Sequence, residues 1–191
     1  DTAKYGIIFD IPSAMDGSAV VSKVSVTNTH QAVTVKSAGR YGIAFACCSF
    51  RTTDMLDTCA IRTESGFTTY AVFNSCTFPG QPFNTVISEG TGKLSFMNCK
   101  FTSWRSLAFN MENGTLSATA NSFFSTNSVG TLGATAVGVF CNNHITENNL
   151  IEGTAFITKS ENEYSDVSID GAWLATSDAI PYVADRIYYA S

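Results

Sequence analysis

Charged residues are scarce in this sequence: Asp, Glu, Lys and Arg make up 14% of its 191 residues, against about 25% in a typical domain. The charges that are present sum to −5, and no run of basic residues occurs. Because nucleic-acid binding needs a basic stripe, a nucleic-acid partner is not expected. The polar surface must come from Ser, Thr and Asn instead, which suits a glycan or a partner subunit.

Long apolar runs and metal-binding motifs are also missing. No stretch of about 18 uninterrupted apolar residues occurs, so no helix inserted in a membrane is expected. The six cysteines form no CxxC pair, and no histidine lies at zinc-like spacing, so neither a metal site nor another cofactor is expected. The pattern does not indicate disulfides either.

What the sequence does have is a repeat in which apolar and polar residues alternate and a Cys or Asn precedes a large apolar residue by two positions. The segments are IAFACCSF (43–50), AVFNSCTF (71–78), LSFMNCKF (94–101) and LSATANSF (116–123), with weaker copies at 138–145 and 157–164. We call the Cys or Asn position the anchor. It falls at Asn28, Cys48, Cys76, Cys99, Asn121, Asn143 and Asn162, with spacings of 20, 28, 23, 22, 22 and 19 residues.

Alternation with period two is typical of strands, and a repeat of about 22 residues without helical periodicity indicates coils of a solenoid. The sequence therefore predicts an all-β fold, a right-handed parallel β-helix of about seven coils. Equivalent residues should stack about 4.8 Å apart on successive coils. We expect a phenylalanine ladder (Phe50, Phe78, Phe101, Phe123) and, at the anchor, buried free thiols followed by asparagines that bond to one another and to the backbone.

The repeat divides the chain into three parts. Residues 1–20 are expected to form an initial coil or cap, residues 21–170 the coils, and residues 171–191 a C-terminal cap or subunit-contact tail. The 28-residue step between two anchors predicts a longer loop at residues 51–62. Glycines before each copy, often preceded by an acidic residue, predict corners with positive φ.

Over residues 21–165 the chain resembles the right-handed parallel β-helices of the pectate-lyase-like superfamily, on the segments NSCTF, MNCKF and TANSF. That superfamily includes polysaccharide lyases, glycoside hydrolases and bacteriophage tailspikes. The Asn-Thr-Asp, Asp-Asp and Gly-His-Gly motifs of polygalacturonases are absent, so the resemblance implies the fold and transfers no catalytic residue.

Glu89 and Glu112 are the best candidates for a catalytic acid/base pair. They fall near equivalent points of adjacent coils, with Glu64 and Glu152 in similar places. Glycosidases need two carboxyl groups about 5–9.5 Å apart, which adjacent or alternate coils can supply. The alternative is that each Glu simply precedes a turn glycine on a solvated corner. The register is also offset, since Glu89 precedes its repeat by five residues and Glu112 by four.

Trp104 and Arg105 follow a repeat in a predicted turn, and are the candidate glycan-binding residues. An exposed indole would stack on a sugar, and the guanidinium would bond to hydroxyls or a carboxylate. A subunit contact, or a ring folded back on its own coil, are the alternatives. His30 and His144 lie beside apolar positions and are interpreted as structural or surface residues.

The first hypothesis on function is therefore a glycan-interacting β-helix, tailspike-like or polysaccharide-processing, that recognises a surface polysaccharide and could also cleave it. The alternative is a non-catalytic structural or assembly subunit of a virion or surface appendage. Both place the protein outside the cell or on a virion. Few charges and an apolar tail predict a homo-oligomer, and analogy with tailspikes makes it a trimer with parallel axes.

Overall fold

The structure, a computed structural model, describes residues 3–53, 58–80, 82–125, 127–146, 151–153, 156–165, 174–177 and 188–189. These residues form eighteen strands and no helix. The strands are β1 (Ala3–Ser22), β2 (Ser25–Ala46), β3 (Ser49–Thr52), β4 (Cys59–Gly66), β5 (Tyr70–Asn74), β6 (Thr77–Phe78), β7 (Asn84–Ser88), β8 (Lys93–Met97), β9 (Lys100–Thr102), β10 (Leu107–Thr119), β11 (Ser122–Phe124), β12 (Gly130–Cys141), β13 (His144–Thr146), β14 (Ile151–Gly153), β15 (Phe156–Ser160), β16 (Glu163–Ser165), β17 (Leu174–Ser177) and β18 (Tyr188–Tyr189).

The strands stack in parallel to form three faces of a solenoid. Sheet A contains the start of β2 with β3, β6, β9, β11, β13 and β16. Sheet B contains the middle of β2 and the first parts of β1, β10 and β12, with β4, β7 and β14. Sheet C contains the last parts of the same four long strands with β5, β8 and β15. The solenoid has about six turns, so the predicted right-handed parallel β-helix is confirmed at this level, with about one coil fewer than expected.

Each turn passes from sheet C to sheet A through one left-handed residue that is not glycine. These residues have φ between 52° and 56°, and each directly precedes the anchor: Lys23, Cys47, Ser75, Asn98, Ala120, Asn142 and Glu161. The same corner identifies the first anchor as Val24, because Ser25 pairs with Ser49 and Val26 with Phe50. The prediction of this anchor at Asn28 was therefore wrong, because Val24 and Val26 occupy the anchor and phenylalanine positions of this coil.

Two columns of aromatic rings fill the core. In the predicted ladder, Phe78 and Phe101 stack at 4.6 Å and Phe101 and Phe123 at 4.8 Å between ring centroids. A second ladder runs beside it on sheet C, where Phe73 lies 4.7 Å from Phe45 and 4.8 Å from Phe96. All of these rings are buried, so sheets A and C both contribute aromatic residues to one continuous core.

From Cys48 onward the anchor column is also buried, as expected. Cys48, Cys76 and Cys99 are free thiols with at most 2% exposure. Further along, the side chain of Asn143 accepts the N–H of Asn121 at 2.9 Å and donates to the carbonyl of Ala118 at 2.9 Å. The amides therefore bond to one another and to the bending backbone, and stacked asparagines satisfy the polar groups of this corner.

The glycines of the other corner do not share one conformation. Gly114 has a φ of 83°, but Gly90 has no positive φ. A Cβ on Gly90 would lie 2.4 Å from the carbonyl oxygen of Phe67. The sequence predicted positive φ at every one of these glycines, whereas at Gly90 close backbone approach is what excludes a side chain.

At the C-terminal end, β17 pairs antiparallel with β16, and β18 pairs antiparallel with β17. The expected cap or tail (171–191) contributes these two strands, and its other residues lie outside the described ranges, as do residues 54–57 of the predicted long loop. At the N-terminal end, β1 runs through most of the expected initial coil or cap (1–20) and pairs with β2.

Candidate functional site

The corner between sheets B and C brings the two candidate carboxylates into the same register. Ser88 pairs with Met111, and Glu89 and Glu112 directly follow these residues. Thr63 pairs with Ser88, which adds Glu64 to the same column. The one-residue offset in the sequence therefore disappears, because the loop after Glu89 is longer than the loop after Glu112. Neighbouring residues of this column are separated by the interstrand distance of about 4.8 Å.

Glu152 does not belong to this column, in contrast to the expectation from sequence. It pairs with Thr131, and Thr131 pairs with Asn110, which lies two residues before Glu112. The backbone of Glu152 therefore lies two residues before the carboxylate position.

Glu89 is held by a basic residue of the neighbouring coil. Nη2 of Arg62 donates a hydrogen bond to Oε1 of Glu89, and both side chains are about two-thirds buried. The carbonyl of Glu89 accepts a 3.2 Å bond from Nδ2 of Asn113. Glu112 has an exposed side chain, and its carbonyl accepts from Oγ1 of Thr135 at 3.3 Å.

These polar residues form one surface along the solenoid axis, which we call the corner strip: Arg62, Glu64, Glu89, Glu112, Asn113 and Thr135. It presents guanidinium, carboxylate, amide and hydroxyl groups on four successive coils. The sequence predicted only its glutamates. The repeat could have identified Arg62 too, since it lies two residues before Glu64 and one coil away from Glu89.

Trp104 is not the exposed platform that the first interpretation required. Its side chain is 1% exposed, and Nε1 donates to the carbonyls of Asn127 (3.2 Å) and Ser128 (2.9 Å). The ring packs edge-to-face on Phe123 at 6.2 Å between centroids. The ring instead lies inside the solenoid against the following coil, and the buried indole cannot stack on a sugar.

Arg105 is exposed, and its backbone N–H bonds to the carbonyl of Pro82 at 2.9 Å. It lies at the corner between sheets A and B. A strand rises about 3.3 Å per residue, so the stretch from Arg105 to Glu112 spans roughly 20 Å. The candidate glycan-binding and catalytic residues therefore lie at opposite ends of the strands of sheet B, and the structure does not bring them into one site.

A cavity of about 210 Å³ lies where sheet C turns into sheet A, near the C-terminal coils. Its lining residues are Asn142, Asn143, His144, Glu161 and Glu163. Nδ1 of His144 lies 3.8 Å from Oε2 of Glu163. Ligand pockets usually measure about 300–1,000 Å³, so this hollow is too small for a drug-sized ligand. The sequence missed this pair, although His144 and Glu163 both directly follow an anchor asparagine.

Two of the buried thiols, Cys59 and Cys76, are not activated for nucleophilic chemistry. Burial raises the pKa of Cys59 to about 12, with nearby Glu89 acting in the same direction and Arg62 against it. A side-chain hydrogen bond to Cys99, together with burial, raises the pKa of Cys76. Both groups stay protonated at neutral pH, and a neutral thiol is a poor nucleophile.

Within the described ranges, no cluster of three or more His, Cys, Asp or Glu side chains could hold a metal ion. The same residues include no helix that is long and apolar enough to cross a bilayer. Comparison with known proteins adds no relative: no family model, no curated protein and no solved structure matches this chain.

Proposed function

We propose that this chain is a polysaccharide-recognising β-helix that binds an extended glycan along the corner strip. The observation that supports the proposal is the row of donors and acceptors that Arg62, Glu89, Asn113 and Thr135 place on four successive coils. Sugar hydroxyls along an extended chain offer matching acceptors and donors. Hydrogen bonds to charged groups contribute about 1.5–3 kcal/mol each, so a few of them are enough for specific recognition.

The charges of the corner strip favour a neutral glycan. Three carboxylates face one guanidinium, and Glu89 already occupies that guanidinium. A polyanionic polysaccharide would meet an excess of negative charge, whereas hydroxyl groups can donate to the free carboxylates of Glu64 and Glu112. Two further points support recognition at a cell or virion surface. Charged residues are few, and the superfamily that the sequence resembles includes tailspikes and polysaccharide-processing enzymes.

Cleavage of the same glycan is the further part of this hypothesis, with Glu89 and Glu112 as acid and base. In-register carboxylates on adjacent coils suit the short separation that retaining glycosidases use, about 5–5.5 Å. The ion pair with Arg62 is an obstacle, because the guanidinium occupies the carboxylate that would have to act. Release of reducing ends from a bound polysaccharide is the readout, and loss of it in Glu89→Gln or Glu112→Gln would support this role.

Binding is tested on a glycan array with wild-type protein, Arg62→Ala and Glu112→Gln. We expect each change to weaken binding by about tenfold or more, the equivalent of one hydrogen bond to a charged group. Glu163→Gln is the matched control, since Glu163 is exposed on sheet A, away from the strip. A wild-type protein that binds no neutral glycan, or variants that bind as well as wild type, would contradict the proposal.

The second candidate function is assembly, and the outer face of sheet C favours it. Its middle row, in register on seven strands, contains no charged residue: Val20, Ala44, Val72, Ser95, Ser117, Val139 and Thr158. Val20, Tyr70, Met97 and Val137 are exposed on this face. A flat face of small and apolar side chains suits contact with protein subunits better than contact with water. Absence of glycan binding together with a stable oligomer would favour this function.

A further inference from the structure

The sulfur atoms of the anchor cysteines form a row along the solenoid axis. Sγ of Cys76 lies 3.4 Å from the carbonyl oxygen of the residue two positions before it, and Sγ of Cys99 lies 3.3 Å from the equivalent oxygen. Each sulfur also contacts a carbonyl of the preceding coil, that of Phe45 at 3.7 Å and that of Phe73 at 3.3 Å. Because the two surroundings are equivalent, the two sulfurs are separated by one coil step, about 4.8 Å.

The corner does not by itself require thiols in this row. In the C-terminal half, buried asparagines occupy the same position directly after the same left-handed residue. The carbonyls beside the sulfurs also have other donors, since that of Asn74 accepts the N–H of Cys47 at 3.0 Å and that of Met97 accepts the N–H of Ser75 at 2.9 Å. Removal of the thiol hydrogens would therefore leave neither of these two carbonyls without a partner.

The same two sulfurs receive hydrogen bonds that stabilise negative charge. The backbone N–H of Cys48 donates to the sulfur of Cys76, and the backbone N–H of Cys76 donates to the sulfur of Cys99. A side-chain hydrogen bond from Cys76 lowers the pKa of Cys99. Both side chains are at most 2% exposed, so an ion between them would be shielded from water. Outer-shell hydrogen bonds and an apolar surrounding are what tune side chains as metal ligands.

The spacing of this pair fits a metal ion between the sulfurs. Metal–thiolate bonds are about 2.3 Å long, so a linear sulfur–metal–sulfur unit spans about 4.6 Å. A disulfide instead needs sulfurs about 2 Å apart and Cβ atoms about 3.8 Å apart, which is closer than one coil step. Soft thiolate ligands select Cu(I), and two ligands in line satisfy an ion of this class.

We propose that Cys76 and Cys99 bind one soft monovalent metal ion of the Cu(I) class in a linear site that joins adjacent coils. On binding, each thiol releases its proton to solvent, two metal–sulfur bonds form, and no electron is transferred. The site then has one negative charge, which the two backbone N–H groups face. Cys48 lies in the same row, but the side-chain hydrogen bond of Cys76 is to Cys99, so this pair forms the site.

Copper binding to the full chain tests the proposal. The background protein carries Cys47→Ser and Cys141→Ser, because these thiols are exposed or only partly buried and would bind copper at the surface. The protein is equilibrated with Cu(I) without oxygen, against a competing chelator, and copper per chain is counted by native mass spectrometry. We expect one ion, with thiolate-to-copper absorption in the ultraviolet. Cys76→Asn and Cys99→Asn should each weaken binding by more than about hundredfold, because changes outside the ligands alone cost about 10–100-fold.

Two other buried cysteines provide matched controls. Cys48→Asn makes the same substitution at the same corner one coil earlier, and leaves both proposed ligands in place. Cys59→Ala removes a buried thiol of sheet B. Both variants should bind one ion as tightly as the background protein.

The outcomes decide whether this pair is a metal site. Circular dichroism should show that every variant is folded, because asparagine satisfies the same corner. Cu(I) should also raise the urea midpoint of the background protein and not that of Cys99→Asn, because only the former binds the ion in its native state. No bound copper, copper held as tightly by Cys76→Asn or Cys99→Asn, or loss of copper in Cys48→Asn would each overturn the proposal. Glycan binding by the corner strip does not depend on any of these results.

Discussion

The anchor column is built from cysteine in the N-terminal half of the solenoid and from asparagine in the C-terminal half. Both halves have the same corner, since the residue before the anchor has a φ of 53° at Ser75 and 53° at Asn142. Both also carry the same core, because the phenylalanine ladder crosses from Phe101 to Phe123 without interruption. The two halves therefore differ in the side chain that satisfies the corner and in little else.

The donor group of each anchor side chain bonds to an equivalent backbone carbonyl of the preceding coil. The thiol of Cys76 donates to the carbonyl of Phe45 at 3.7 Å, and that of Cys99 to Phe73 at 3.3 Å. Nδ2 of Asn162 donates to the carbonyl of Phe140 at 2.8 Å. Each acceptor lies three residues before the preceding anchor. A thiol and an amide therefore donate to equivalent carbonyls, and the amide forms the stronger hydrogen bond.

The acceptor of each anchor side chain is also equivalent. Oδ1 of Asn121 accepts the N–H of Cys99 at 2.9 Å, as Oδ1 of Asn162 accepts that of Asn143 at 3.0 Å. In the thiol half, the side-chain hydrogen bond to Cys99 and burial raise the pKa of Cys76, and they outweigh a backbone hydrogen bond from Cys48 to its sulfur that acts in the opposite direction. The corner thus requires a small side chain with one donor and one acceptor, and cysteine meets that requirement with weaker bonds than asparagine.

The largest loss of stability is expected in the phenylalanine ladder, because it packs against both halves of the solenoid. Phe101→Ala should destabilise the protein by about 3–5 kcal/mol, because the ring stacks on Phe78 and Phe123 and its loss leaves a cavity between the halves. Urea unfolding measures the change. Phe124→Ala is the control. It removes the exposed ring that directly follows Phe123 in the sequence, and it should cost much less. Similar costs for the two variants would contradict a continuous core.

A smaller loss of stability is expected when an anchor asparagine of the C-terminal half is replaced. Asn143→Ala should cost about 3 kcal/mol, since the N–H of Asn121 and the carbonyl of Ala118 would be left buried without partners at about 1–3 kcal/mol each. The control is Asn74→Ala, at an exposed position of β5 that does not have a left-handed backbone. A cost for Asn143→Ala below about 1 kcal/mol would mean that the ladder of amides does not stabilise the fold.

Replacing an anchor cysteine of the N-terminal half should destabilise the protein less than replacing an anchor asparagine. Cys76→Ala is expected to cost about 1–2 kcal/mol, because the sulfur bonds that it removes are weaker than amide bonds and the volume change is small. The same urea titrations measure it. In native wild-type protein, a thiol reagent should label the exposed Cys47 quickly and the buried Cys76 only on unfolding. Rapid labelling of Cys76, or a loss larger than that of Asn143→Ala, would reverse the comparison.

The repeat made the fold predictable because one register decides almost every contact. Once Cys76 and Cys99 are aligned, Phe78 must lie against Phe101 and Phe73 against Phe96. The first coil was predicted incorrectly because Val24 is neither Cys nor Asn, and Asn28 resembles the anchor nearby. Only the left-handed corner at Lys23 distinguishes the two, and backbone angles at a non-glycine residue leave no clear mark in the sequence.

The candidate site was less predictable, because loop lengths decide which side chains meet. Glu89 and Glu112 were assigned to the same corner, although their register and the Arg62 partner depended on loops that the repeat does not fix. Trp104 was misjudged for a related reason. Its position after a strand is typical of a turn, and nothing in the local sequence shows that the carbonyls of Asn127 and Ser128 lie within reach of its indole N–H.

The smallest effect is predicted at the junction of the two halves, where the comparison is tested most closely. Cys99 donates to the carbonyl of Phe73, and its N–H is accepted by Oδ1 of Asn121. Cys99→Asn supplies a donor and an acceptor of the same reach, so we expect stability to change by less than about 1 kcal/mol, with stronger bonds offset by a slightly larger side chain. Cys99→Leu is the control, because it fills the site without either group and should cost about 2 kcal/mol or more through unsatisfied backbone groups. Urea unfolding of both variants decides the point. Equal losses would mean that the corner selects for size alone, and the equivalence of thiol and amide would then have to be abandoned.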